Sequence, residues 1–161
     1  MGWTLSWTWL FAWTGYSRMK DLFVLLDAIH EAYSRPEYIP GGGLTHCNQF
    51  VAEVAGKCGF KGLDGLLAND IVDYIANSDQ WSECSMTQAQ QLANQGTLII
   101  AGIKDEPHGH VNVICPGREK ISGRWGSVPC VANVGKDMFI GRGLNWAFSD
   151  PPKLYFWGAS L

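Results

Sequence analysis

The sequence predicts an α+β domain, and three observations carry that expectation. Apolar residues recur at helical spacing through the first half, and short β-rich runs separated by polar turns fill the second half. Between them a glycine-rich loop, Gly41-Gly42-Gly43, becomes a helix at Cys47. A chain of 161 residues is one domain's worth, large enough for a single core. Charged residues make up 17%, below the usual quarter, while 19 glycines and 8 tryptophans mark a compact, loop-rich chain rather than a disordered one. A formal charge of -3 with no basic cluster argues against a nucleic-acid binder, whose phosphate contacts need a concentrated positive surface.

Residues 1–16 hold Trp3, Trp7, Trp9 and Trp13 and no charge. The stretch lacks the positive start and small-residue cleavage site of a secretory signal and is too short to span a bilayer. Three readings stay open for residues 1–18: a weak signal or membrane-surface segment, an apolar arm on the domain, or a start assigned upstream of Met19. Residues 19–161 form the expected domain. From Met19 to Ser34, Leu22, Leu25, Leu26, Ile29 and Tyr33 outline a helix ended by Pro36, with His30 as a surface or core histidine. Residues 36–44 read as an extended loop, and Thr45 as the N-cap of the next helix. From Cys47, the stripe Phe50, Val51, Val54, Ala55, Cys58 defines a second helix. Residues 66–75 give a third, on which Asp70 and Asp73 read as a solvated face rather than a carboxylate pair. Residues 78–85, with Trp81, read as a surface loop, and residues 87–94 as a fourth helix.

Residues 98–104 and 110–115 then flank a polar turn as a hairpin, with His110 opening its second strand. After a polar turn over residues 117–126, residues 128–135 run back beside the histidine strand. Alternation sets Val131 and Asn133 on one face and Cys130, Ala132 and Val134 on the other. A short turn or helix at residues 143–148 and a closing aromatic strand at residues 154–157 complete the chain, with Pro151-Pro152 fixing the connection.

Five cysteines, Cys47, Cys58, Cys84, Cys115 and Cys130, leave at least one thiol free under any pairing. Without CxxC or Cys-His ligand spacing, reduced thiols are the default and no metal site is expected. Cys58, Cys115 and Cys130 read as core residues. Cys47 differs because a thiol in a first helical turn feels the positive end of the helix dipole and free backbone N–H groups, which favour thiolate. A lone cysteine on an apolar helix face is ordinarily a small core residue. The Gly-His-Val opening of a downstream strand tips the balance, since a cysteine followed far along by a histidine is the order of papain-like hydrolases. His108 competes with His110 as base, two residues away on the same strand parity. His110 is preferred because it lies inside the strand, where neighbours would fix its ring.

Cys47-Asn48-Gln49-Phe50-Val51, residues 93–101 and Gly109-His110-Val111 together resemble the NlpC-like and CHAP group of bacterial and phage cell-wall cysteine peptidases and amidases. The resemblance runs from roughly residue 19 to 158. That group usually carries a small or aromatic residue where this chain has Asn48 and Gln49. The resemblance implies a papain-like core of N-terminal helices packed on an antiparallel sheet, and cleavage of an amide bond in peptidoglycan stem or cross-bridge peptides. It implies Cys47 as nucleophile, His110 as base and acid, and Asn133 as the polar residue from the next strand that orients the histidine. Asn133 at an exposed strand end is the competing reading. The oxyanion would meet the N–H of Cys47 and a second donor from His46, Asn48 or Gln49, and Tyr38 would wall the substrate groove. A monomer acting on the cell wall, with no cofactor, is the expected form. An inactive papain-like binding module, or a cysteine-histidine acyltransferase or deamidase acting on protein or lipid, stands as the alternative.

Overall fold

A computed structural model describes residues 8–158. Helix α1 spans Thr8–Tyr33, and after a 3-10 turn at Pro36–Tyr38 come α2, Cys47–Lys57, and α3, Ala68–Asn77. Strand β1 (Trp81–Cys84) and α4 (Met86–Ala93) lead into β2 (Ile99–Ile103) and β3 (His110–Ile114). Strands β4 (Lys120–Ser122), β5 (Gly126–Val128), β6 (Cys130–Asn133), β7 (Phe139–Gly143) and β8 (Lys153–Trp157) follow. Six strands form one antiparallel sheet in the order β1-β8-β2-β3-β6-β7, and β4 and β5 make a separate hairpin. This is the α+β arrangement of helices on an antiparallel sheet expected of a papain-like fold.

Strand alternation divides the core in two. Ile100, Val111, Val113, Ala132 and Tyr155 pack with Leu25 and Ile29 of α1, Phe50 and Val54 of α2 and Ile71 and Ile75 of α3. Their neighbours Ile99, Ala101, Ile114, Val131 and Phe156 face Ala89 and Ala93 of α4, with Leu144 and Phe148. Residues of both faces are buried, so β2, Ile99–Ile103, reads as a continuous apolar run rather than half-polar alternation.

Several boundaries differ from expectation. The helix expected from Met19 begins at Thr8, so the 18/19 boundary falls inside α1, and residues 1–7 lie outside the described residues. Residues 78–85 are not a surface loop. Residues 81–84 form the edge strand β1 paired to β8, and Trp81 is buried against Phe60. The polar turn at residues 117–126 contains β4 and the first residue of β5. Strand β7 had no signal in its composition, Phe139-Ile140-Gly141-Arg142-Gly143. Its pairing with β6 and the cation-π contacts of Arg142 with Phe139 and Trp146 supply what alternation does not.

The face of β2 under α3 leaves no room for a side chain at position 102. A Cβ there would stand 2.7 Å from Val72 Cγ2 and 3.1 Å from Val111 Cγ1. Gly102→Ala should therefore push α3 off the sheet and lower stability by about 1–3 kcal/mol, measured by urea unfolding. An unchanged midpoint would mean that this contact is not close-packed.

Candidate active site

Gly42 and Gly43, at φ +60° and +78°, adopt backbone that other residues avoid and turn the chain into α2. Two backbone hydrogen bonds between Gly41 and Leu44, at 3.3 and 3.0 Å, hold the turn. The N-cap is His46, not Thr45. Its side chain does not cap the backbone, and its Nδ1 instead lies 2.8 Å from Gln49 Oε1 one turn on. Cys47 is thus the first residue of α2, and it is buried.

Burial pushes the Cys47 thiol above its ordinary pKa, and the backbone N–H groups of Val111, Asn48 and Cys47 itself pull only partly the other way. This corrects the expectation of a resting thiolate. Desolvation outweighs these backbone donors because the thiol is largely buried at the start of α2, beside the Val111 N–H of β3. Cys47 forms the floor of a cleft of about 390 Å³, walled by Leu44 and Thr45 on one side and by Pro107 and His108 on the other. Asn69 of α3 fixes the second wall by pairing its amide with both backbone groups of Asp105, at 2.9 and 3.2 Å.

His110 is held from three sides. Its Nε2 lies 2.7 Å from Asn133 Oδ1, Phe148 tilts against the ring at 5.1 Å between centroids, and Gly135 packs beside Cε1 and Nδ1. A Cβ at Gly135 would come within 3.1 Å of Cε1. Asn133 is itself buried and donates its amide N–H to the carbonyl of Asp137 at 2.9 Å. A carbonyl can only accept, so the amide nitrogen must face Asp137 and the amide oxygen must face the imidazole. It follows that Nε2 carries the proton and Nδ1 keeps its lone pair. Burial holds the His110 pKa below its ordinary value, and the Asn133 bond opposes that only in part. A neutral thiol and a neutral imidazole therefore sit at the same end of β3, the thiol against the N–H of Val111 and the imidazole on the preceding residue. No hydrogen bond joins them among the described residues.

The remaining sequence candidates divide clearly. His108 is exposed on the cleft wall. Asn48 donates to Leu66 O at 2.9 Å, and His46 and Gln49 bond each other, so all three side chains are engaged. Tyr38 does not wall the groove. It is buried, with its hydroxyl donating to Glu53 at 2.6 Å, and Arg35 bonds the same carboxylate at 2.8 Å. Burial works against the Glu53 charge, yet the Tyr38 hydroxyl and Arg35 guanidinium hold its carboxyl below the ordinary range. Tyr38 therefore ties the loop to α2 from behind. Asp73 pairs with Lys104 at 2.7 Å on the surface. No three His, Cys, Asp or Glu side chains gather to hold a metal ion among the described residues.

Sequence reasoning passed over Asn112. Its side chain is fully buried on β3, donates to Asn133 Oδ1 at 3.3 Å, and leaves its own Oδ1 without a partner among the described residues. The signal was the same one that singled out Asn133: a polar amide inside an apolar strand.

No family model matches the chain. It is similar to the peptidoglycan amidase Tse1 of Pseudomonas aeruginosa, with 34% identity over 122 residues that cover 72% of this chain and 76% of that protein. The chain belongs to the family of this amidase. An amidase relationship of that extent takes in the greater part of both chains, so it describes the domain rather than a shared motif.

The Asn133 bond makes a titration prediction. In Asn133→Asp a carboxylate would replace the amide oxygen at Nε2, so the His110 pKa, followed by NMR of its ring protons, should rise by about 1–2 units from its depressed wild-type value. An unmoved titration would place residue 133 out of contact with the ring.

Proposed function

We propose that this domain hydrolyses an amide bond of peptidoglycan with Cys47 as nucleophile, His110 as general base and acid, and Asn133 as the orienting group. The observation that carries the reading is the imidazole pinned by Asn133 with Nδ1 unprotonated, one peptide unit from the contact between the Cys47 thiol and Val111 N–H. The amidase relative supports the substrate class. Kinship with the NlpC-like and CHAP enzymes is part of the same proposal, as are a monomeric hydrolase domain over residues 19–161 and action at the cell wall.

The cleft admits an extended peptide between the Leu44 and His108 walls, with its carbonyl carbon over Cys47. Thiol and imidazole draw together as the substrate settles, which is common for catalytic hydrogen bonds that are long beforehand. Nδ1 takes the thiol proton as Sγ attacks the carbonyl carbon. The oxyanion meets the first-turn N–H groups of Cys47 and Asn48, donors that the helix itself leaves free. Side-chain donation from His46, Asn48 or Gln49 would first have to break the contacts those residues make. The imidazolium returns its proton to the departing amine, leaving a thioester. Water, losing a proton to Nδ1, then releases the acid and restores the thiol. Because Asn133 is neutral, it fixes the tautomer without lending charge to an ion pair, and the nucleophile is generated in the reaction step.

The pH dependence follows from the two shifts. The reactive form needs neutral His110, whose pKa is depressed, and a protonated Cys47, whose pKa is raised. The rate plateau should therefore start below the ordinary imidazole range and end above the ordinary thiol range. A narrow optimum between the two ordinary values would contradict the neutral pair.

Mass spectrometry of muropeptides digested by the chain and its variants tests the roles. Cys47→Ala should yield no products, and His110→Ala should lose about three or more orders of magnitude of rate. Asn133→Ala should lose about one to three orders of magnitude, and His108→Ala less than about tenfold. Full activity in Cys47→Ala would sink the thiol mechanism. A greater loss in His108→Ala than in His110→Ala would move the base to the cleft wall.

A further inference from the structure

Two cysteines that the proposed mechanism does not use face each other across β3 and β6. The ladder pairs Val113 with Ala132 and Ile114 with Val131, and the bond from Cys115 N to Cys130 O at 3.0 Å carries the register one step further. Directly opposed antiparallel residues have Cα atoms about 4.5–5.5 Å apart, inside the span of about 4.4–6.8 Å that a disulfide bridges. The two sulfurs already lie 3.4 Å apart. Gln90 of α4 clamps both backbones at this point, donating to Cys115 O at 3.1 Å and accepting from Cys130 N at 2.8 Å. Nothing needs to move but two side chains.

We propose that Cys115 and Cys130 are a latent disulfide, open in a reducing compartment and closed when the chain folds in an oxidising one, stapling the His110 strand to the Asn133 strand. The oxidant is an exchanging disulfide, either of a thiol oxidase or of a small-molecule thiol. The Cys130 thiolate attacks one sulfur of that disulfide and expels the first thiol. The Cys115 thiolate, after losing its proton to solvent, then attacks Cys130 Sγ and expels the second. Two protein thiols and one external disulfide thus become one protein disulfide and two external thiols. Once β3 and β6 are paired, Cys130 is suited to attack first, because Cys115 can share its thiol hydrogen with the Cys130 sulfur across 3.4 Å.

Both side chains are buried in the finished fold. Exchange therefore takes place while the β4–β5 hairpin between them is still unformed, and the closed core afterwards shields the bond from reduction. The oxidising compartment is the one in which a peptidoglycan hydrolase meets its substrate, which rests on the proposed function. The chemistry of the pair does not depend on it.

The test uses the full chain, unfolded with reductant and refolded in mixed oxidised and reduced glutathione, then alkylated with iodoacetamide in denaturant and digested for mass spectrometry. The expected product has Cys47, Cys58 and Cys84 alkylated and one linked peptide joining Cys115 to Cys130. It should melt about 5–10 °C above the same chain kept in dithiothreitol, the shift expected for closing a loop of about 15 residues. Cys58→Ser should keep the link, and Cys130→Ala should lose both link and shift. Five alkylated cysteines in the refolded chain, a link through Cys47, Cys58 or Cys84, or a linked chain that melts no higher would each overturn the proposal. The comparison of oxidised with reduced wild type carries the result even where Cys130→Ala folds poorly.

Discussion

The amide of Asn133 is the hinge of the site, because its two ends have different partners that cannot be exchanged. The carbonyl of Asp137 takes its N–H, the imidazole of His110 takes its oxygen, and Asn112 adds a second, longer donation to the same oxygen. Turning the amide over would set oxygen against the Asp137 carbonyl and orphan a buried donor, at a cost of about 1–3 kcal/mol. The histidine tautomer is therefore decided by a backbone carbonyl four residues beyond Asn133. That carbonyl belongs to the turn between β6 and β7, so the antiparallel pairing of those strands sets how the imidazole is held.

Burial governs the electrostatics on both sides of the pair. It raises the thiol and lowers the imidazole, and each change favours the uncharged form. A carboxylate in place of Asn133 would favour the imidazolium and thereby an ion pair with Cys47. In the proposed mechanism, with an amide at position 133, the three backbone N–H groups near sulfur would serve a charge that develops in the reaction rather than a standing one. The same logic explains why Tyr38, Arg35 and Glu53 matter without touching the cleft. Their partly buried charge network anchors the chain between α1 and α2, and with it the start of the helix that carries Cys47.

Much of this was legible in the sequence where a single physical signal acted alone. The stripe from Cys47 to Cys58 located α2 because its buried face is unbroken, and the Gly-His-Val strand located β3 because a polar turn precedes an apolar run. Asn133 could be assigned to a face because strand parity is a strict period of two. Signals that depend on distant partners were not legible. Strand β1 is a strand only because β8 lies beside it, and the length of β7 depends on β6 and on the stacking of Arg142. Tyr38 was misplaced because an aromatic residue before the cysteine helix fits a groove wall or a buried anchor equally well. Only the carboxylate of Glu53, fifteen residues on, distinguishes them. The charge state of Cys47 was misread for a related reason: the helix dipole can be seen in one segment, and the strand that buries the thiol cannot.

The claim on which the mechanism rests is that His110 is neutral at pH 7, with its proton on Nε2 and its lone pair on Nδ1. Long-range proton–nitrogen correlation spectra of the chain labelled with nitrogen-15 histidine read this directly, because protonated and bare ring nitrogens resonate far apart. The account predicts a protonated Nε2 and a bare Nδ1 for His110, lost in Asn133→Ala. A proton on Nδ1, or an imidazolium at neutral pH, would contradict it.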